Sequence, residues 1–278
     1  MKKNLDIDLS INPQETKVII NDFIKTYVKN SGCNSVIIGL SGGVDSAVTA
    51  LLCKEALGKK NVRCVFLPDK TTPGLDIKHQ ELFVKKFDLI CETKDITSLV
   101  NQIEKNCILK PDKYALANVK ARIRMILLYE YANMTKSLVC GTSNKSEMLV
   151  GYFTKYGDGG ADIFPIGDLY KTQVWELAKF LKTPKEIISK PPTAGLWENQ
   201  SDEKELKLSY KDLDKILAGL EKKIDIVDLS KITGVKKSDV IRVRDMRVKS
   251  QHKRRPPLIP KIGLRTPGLD WRVPIQEG

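Results

Sequence analysis

Ser41-Gly42-Gly43-Val44-Asp45-Ser46 follows the apolar run Val36-Ile37-Ile38-Gly39-Leu40 and leads into Ala47-Val48-Thr49-Ala50-Leu51-Leu52. This order predicts a strand, a small-residue turn and a helix start. Two glycines and two serines allow a tight turn whose backbone N–H groups point inward, and the helix behind it adds the positive end of its dipole. Such a cup suits phosphates. It lacks the Lys of the G-x-x-x-x-G-K-[ST] loop and is no G-x-G-x-x-G fingerprint. Asp45 is the informative addition, because a carboxylate in an anion cup repels phosphate unless a cation lies between them. The residue therefore predicts Mg²⁺ bridging Asp45 and phosphate oxygens.

Working outward, short apolar runs alternate with amphipathic segments. Strands are expected at 36–40, 62–67, 88–92 and 137–140, and helices at Gln14 to Asn30, Ile77 to Lys86 and Tyr114 to Asn133. The last is apolar on one face through Leu116, Val119, Ile123, Ile126, Leu127 and Tyr131. The alternation predicts an α/β fold: a doubly wound parallel sheet with helices on both faces. Beyond Phe180 prolines and a polar stretch give way to charged helical sequence. The expected organisation is one domain over 1–278. It comprises an α/β nucleotide-binding core (17–183), a mobile active-site loop (184–204), a helical C-terminal portion (205–257) and a tail (258–278).

With 278 residues, 41% hydrophobic and 29% charged, the chain is long enough for a sizeable core. The net charge of +13 points to polyanionic company: nucleic acid, a membrane surface or phosphorylated substrates. Met1-Lys2-Lys3-Asn4-Leu5-Asp6-Ile7-Asp8 opens no signal-peptide core, and no apolar run is long enough to span a bilayer, so a cytoplasmic address is expected. The six cysteines form no C-x-x-C pair, which argues against a zinc site or disulfide framework.

Leu138-Val139-Cys140 leads into Gly141-Thr142-Ser143-Asn144-Lys145-Ser146-Glu147, a second strand end opening into a helix, with Ser143 or Asn144 as cap. If both turns lie at the carboxyl edge of the sheet, Glu147 faces Asp45 and supplies a second Mg²⁺ ligand; it reads equally as part of a capping box. Lys155-Tyr156-Gly157-Asp158-Gly159-Gly160-Ala161-Asp162 is glycine-rich enough to let backbone approach a ligand. Lys171 either meets a phosphate or is a surface lysine. Arg122 and Arg124 leave their helix on different sides, so at most one faces the partner of the apolar stripe. Ser250-Gln251-His252-Lys253-Arg254-Arg255 is a basic cluster without the interleaved aromatics that stack bases.

Together these segments resemble the ammonia-dependent NAD synthetases of the N-type ATP pyrophosphatases, from about Lys17 to Pro257. The motifs carrying the resemblance are S-G-G-V-D-S at Ser41, A-R-I-R-M at Ala121, G-T-S-N-K-S-E at Gly141, K-Y-G-D-G-G-A-D at Lys155, P-P-T-A-G-L-W at Pro191 and H-K-R at His252. The resemblance implies an adenine nucleotide alpha hydrolase-like fold. Gly39, Leu40, Ser41, Gly42, Gly43, Val44, Asp45 and Ser46 would hold the ATP phosphates, with Thr142, Lys171 and Thr193 as further ATP contacts. It makes Asp45 and Glu147 the Mg²⁺ ligands. Arg122, Lys155, Asp162, His252 and Lys253 would hold deamido-NAD at a homodimer interface.

The implied reaction is amidation of deamido-NAD to NAD through an acyl-adenylate, with ATP and ammonia as co-substrates and AMP and pyrophosphate as by-products. Asp45, Ser41 and Asp158 are the catalytic candidates, Asp158 as a base or ammonium-binding group. The high positive charge then needs no nucleic acid or membrane partner. The chain is too short for the amidase domain of the glutamine-using branch, so free or delivered ammonia is expected. The rivals are another member of the superfamily that adenylates a purine or tRNA base, and a nucleotide-binding module without turnover.

Overall fold

The computed structural model describes residues 7–197 and 200–267. Met1 to Asp6, Glu198 and Asn199 in the expected loop, and tail residues 268–278 lie outside the described residues. The elements run α1 (Pro13–Asn30), β1 (Val36–Gly39), α2 (Val44–Leu57), β2 (Val62–Phe66), α3 (Gly74–Lys86), β3 (Ile90–Thr93), α4 (Thr97–Lys105), α5 (Lys113–Thr135), β4 (Leu138–Cys140) and α6 (Lys145–Val150). They continue as α7 (Lys171–Phe180), α8 (Lys185–Ser189), α9 (Asp202–Leu206), α10 (Tyr210–Glu221), α11 (Ile226–Thr233), α12 (Lys237–Lys249) and α13 (Gln251–Arg254).

The four strands form one parallel sheet in the order β3-β2-β1-β4. Val36 pairs with Val62 on one side and Leu138 on the other. The chain therefore winds outward from β1 through β2 to β3, then returns to lay β4 on the opposite flank. The reversal leaves a crevice between the carboxyl ends of β1 and β4, where crossover connections to the two sides part company. The two motif turns at Ser41 and Gly141 open from those ends.

Helices cover both faces. On one, α2 is buried nearly all round from Val44 to Cys53 and lies between the sheet and α1 and α7. Its composition explains the position: a helix apolar on every side has no face to offer water. The other face carries α4 and α5, which pack Val100, Leu116, Val119, Ile123 and Leu127 over Ile37, Val65 and Val139. Ile126, expected on the apolar stripe of α5, is 57% exposed. The helix turns it away from the sheet that the other stripe residues cover.

Boundaries moved where local chemistry opposed the pattern. The strand expected at 88–92 begins only at Ile90, because Asp88 is left-handed at φ 46° and Leu89 N–H still bonds the α3 carbonyl of Val84. Helix α3 begins at Gly74, before the expected Ile77, with Pro73 in the N-cap position. Helices α10 to α12 build a second apolar cluster around Tyr210, Leu213, Ile216, Leu229 and Val240, and pack on α6 and α7. The C-terminal portion thus buttresses the two helices that begin at Lys145 and Lys171. Among the described residues no helix is long and apolar enough to cross a membrane.

Candidate active site

The turn after β1 is built by its serines. Ser46 Oγ accepts from Ser41 N–H at 3.2 Å and donates to Gly43 O at 3.0 Å, while Ser41 Oγ accepts from Gly43 N–H at 3.3 Å. Two of the amides expected to face a phosphate are therefore engaged inside the turn. The donors left for an anion include those of the first turn of α2, which an α-helix cannot satisfy itself. Gly42 is required twice over: its φ is 79°, and a Cβ there would lie 2.5 Å from the backbone oxygen of Asp76.

Asp45 and Glu147 meet across the crevice through a side chain on a third helix. Lys171 Nζ, at the start of α7, lies 2.5 Å from Asp45 Oδ2 and 3.2 Å from Glu147 Oε1. The lysine side chain is 3% exposed, so the surface-lysine reading fails. Glu147 also closes a capping box with Asn144, whose Oδ1 accepts from Glu147 N–H at 3.1 Å, so the capping-box reading of this residue holds. Asn144, fully buried, donates its Nδ2 to Asp45 Oδ1 at 2.9 Å and so aligns the two carboxylates.

The charges are coupled. Burial disfavours the Lys171 ammonium, but Asp45 and Glu147 outweigh that and raise its pKa. One ammonium cannot fully offset two carboxylates, and it sits nearer Asp45. Burial therefore pushes Glu147 up to about 8, with Asp45 adding to the rise and Lys171 opposing it. Asp45 and Glu147 are hard oxygen donors converging on one cationic group, which is the donor set Mg²⁺ takes. They are chemically fit to hold it.

The α6 and α7 starts are locked by Asp214 of α10, which is fully buried. It accepts from Ser146 Oγ at 2.5 Å and from Thr172 N–H and Oγ at 2.8 Å each, and Lys171 N–H bonds Ser146 Oγ at 2.9 Å. Asp202, at the start of α9, accepts from Tyr152 OH at 3.0 Å and Ala194 N–H at 3.0 Å. Burial raises its pKa against the pull of Lys171. Sequence reasoning missed Asn144 as a partner of Asp45, and missed Asp202 and Asp214 altogether. The acids lie in stretches read as polar loop and charged helix, and only packing distinguishes them from solvated neighbours.

A cleft of about 460 Å³ runs from this centre between the loops. It is lined by the turn residues Gly39 to Ser46 except Gly42, and by Thr142, Glu147, Asp158, Lys171, Thr193 and Lys253. Asp158 is exposed at the rim of this cleft; desolvation raises its pKa although Thr154 N–H donates to it at 2.8 Å. Lys253 Nζ donates to Gly151 O and Phe153 O at 2.8 Å each. Thr193 Oγ accepts from Gly195 N–H at 3.1 Å.

Four expected residues stand outside the cleft. Arg122 is exposed and donates to Lys155 O at 3.3 Å, whereas Arg124 turns inward to Leu67 O at 2.9 Å and faces Asp69 at 3.7 Å. Lys155 Nζ lies 5.1 Å from the Tyr156 ring centroid. Asp162 accepts from Val139 N–H at 2.7 Å and Tyr129 OH at 3.2 Å, a structural use at the edge of β4. His252 is exposed on α13.

The NAD synthase family model matches residues 17–257. The chain belongs to the NAD synthase family. Its relatives include the NH3-dependent NAD(+) synthetase of Methanocaldococcus jannaschii, 44% identical over 246 residues and covering 87% of this chain and 95% of the relative. That of Sulfurisphaera tokodaii is 39% identical, covering 100% of this chain and 98% of the relative. Among solved structures, NH3-dependent NAD synthetase from Campylobacter jejuni has a TM-score of 0.77 and 32% identity, over 91% of this chain and all 100% of that one. NMN synthetase from Francisella tularensis has a TM-score of 0.82 and 31% identity, with the same coverages of 91% and 100%. The NAD synthase architecture accounts for the parallel sheet and its helical cover. No observation favours the purine, tRNA-base or non-catalytic readings.

Proposed function

We propose that this NAD synthase family member is a ligase that converts deamido-NAD to NAD with ATP and ammonia, releasing AMP and pyrophosphate. The observation that carries the reading is the meeting of Asp45, Glu147 and Lys171 at the carboxyl ends of β1 and β4, beside a cleft roomy enough for a nucleotide.

In this reading Gly39 to Ser46, Thr142, Lys171 and Thr193 hold ATP. Ser41 and the first-turn amides of α2 face its phosphates, and Asp45 and Glu147 hold Mg²⁺. The bound ion would offset charge on the departing pyrophosphate. The nicotinate carboxylate oxygen forms a bond to the α-phosphorus while the bond from that phosphorus to the bridging oxygen breaks and pyrophosphate leaves. Ammonia then attacks the acyl carbon, the acyl–oxygen bond breaks, and AMP departs. Asp158, its proton affinity raised within the cleft, holds ammonium or accepts its proton.

Lys253 reaches the same cleft, while Arg122, Lys155, Asp162 and His252 lie outside it. That division, with apolar Ile126 exposed on the same helix as Arg122, supports a dinucleotide bound where a second copy completes the site. We read 1–278 as one such domain of a cytoplasmic homodimer.

Incubation with ATP, Mg²⁺, deamido-NAD and ammonium should give AMP and NAD in equal amounts. ADP formation, no turnover, or AMP release only with tRNA would reject the proposal. The likeness to an NMN synthetase makes the mononucleotide the second reading. If nicotinate mononucleotide is amidated in preference to deamido-NAD, that reading replaces the first.

A further inference from the structure

We infer that Lys171 is a built-in counter-cation: without nucleotide its ammonium fills the place of the divalent ion, and the ion enters as the triphosphate draws the ammonium away. The inference rests on reading Asp45 and Glu147 as the metal pair, and adds an order to the binding of metal and nucleotide.

Three features carry it. The ammonium lies within hydrogen-bonding distance of both carboxylates, at 2.5 and 3.2 Å, and is capped by the Tyr210 ring, 5.2 Å from its centroid. The carboxylates are themselves withdrawn from water, with side chains 18% and 15% exposed, so leaving them without a cation would be costly. The backbone under Lys171 is fixed, because Ser146 and Asp214 hold the first amides of α7. Only the four-carbon stem is free to move.

Mg²⁺ takes oxygen ligands at about 2.0–2.1 Å. An ammonium bonded to the same two oxygens would then stand within a few ångströms of a divalent ion, and the two cations repel. Both cannot be held unless new negative charge arrives. The phosphate tail supplies it, lined up beside the turn at Ser41, and a swing of the lysine stem carries the ammonium from carboxylate to phosphate oxygens. The carboxylates are then released to the metal. Lys171 thus suppresses metal binding to the empty site and favours it in the filled one, a positive and reciprocal coupling.

Mn²⁺, counted by the electron paramagnetic resonance signal of the free ion, is the probe. Lys171→Met keeps the apolar stem and removes the charge. Without nucleotide this variant should bind Mn²⁺ at least tenfold more tightly than the wild type, and addition of a non-hydrolysable ATP analogue should tighten it less than it tightens the wild type. A nucleotide-free affinity equal to or weaker than wild type overturns the inference. Lys171→Gln carries the same expectation should the methionine variant not fold, and wild type that binds Mn²⁺ equally well with and without the analogue is also fatal. Asp45→Asn separates the two levels of the argument: undiminished Mn²⁺ binding in that variant with the analogue present would reject Asp45 as a ligand, whatever Lys171 does.

Discussion

Lys120 Nζ donates to the backbone oxygen of Leu196 at 3.0 Å, fastening the loop that follows α8 to the long helix α5. The same ammonium bonds Thr71 Oγ at 2.7 Å and Asp69 at 3.0 Å, and is almost wholly buried. At the other end of the loop Lys190 pairs with Asp76 of α3. The loop over the cleft is therefore held by the buried Lys120 and the partly buried Lys190. Lys120→Met should loosen it and leave Asp69 with its Thr71 hydrogen bonds and the more distant Arg124 but without its close ammonium, lowering stability by roughly 3 kcal/mol. Adding Asp69→Asn should recover much of that stability but none of the loop anchorage. Denaturant unfolding and the KM for ATP read the two effects separately; a double variant restored in both would disprove the anchoring role.

Asp69 also sets a pH dependence. Burial raises its pKa, but hydrogen bonds from Thr71 and Lys120 prevail and hold the carboxyl below its ordinary range. Such a group stabilises the fold above the unfolded-state pKa, near 3.9, and the contribution fades as pH falls through the lowered folded-state value. The Tm advantage of wild type over Asp69→Asn should be steady above about pH 5 and shrink below about pH 4. An advantage that grows on acidification would contradict this sign.

Gly42→Ala places a methyl group against the Asp76 carbonyl in a left-handed backbone. The strain alone is on the order of 1–3 kcal/mol. The turn can relieve it only by moving away from α3, so nucleotide affinity should fall more than the melting temperature suggests. Isothermal titration with an ATP analogue, set beside thermal unfolding, tests the point.

For Asp158→Asn we expect kcat/KM for ammonium to drop by about 10²- to 10⁴-fold, the range of a lost general base. ATP binding should be unchanged. Amidation at limiting ammonium with the rate of wild type would remove Asp158 from the mechanism.

Arg254 donates to Met148 O at 3.0 Å, Leu149 O at 2.8 Å and Arg247 O at 2.6 Å. It clasps α13 to the end of α6, where Gly151 is so close to Ser250 that a Cβ would fall 2.2 Å from the serine Cβ. Arg254→Ala should shift His252 and Lys253, raising KM for deamido-NAD at least several-fold while sparing KM for ATP. Equal losses for both substrates would indicate general unfolding instead.

Much of the site was legible because its chemistry is local. A strand followed by S-G-G-V-D-S, and another followed by G-T-S-N-K-S-E, each dictate a turn and a helix start within a few residues. Arg122 and Arg124 were separable by helix geometry alone, and they do point opposite ways. Less legible were Asp202 and Asp214, whose isolation from water depends on Tyr152, Tyr210, Ser146 and Thr172 arriving from other elements. Ile126 misled because periodicity marks a face as apolar without saying how far the sheet beneath it extends.

The amino-acid order by itself determined the strand–turn–helix units, the family and the pair of acidic residues at two turns, since each depends on short-range sterics and hydrogen bonding. Tertiary structure decided what stands between those acids. Strand order brings Asp45 and Glu147 together, and α7, set by Asp214, delivers Lys171 into the gap. An ion pair across more than a hundred residues depends on how layers pack, and no local rule encodes it.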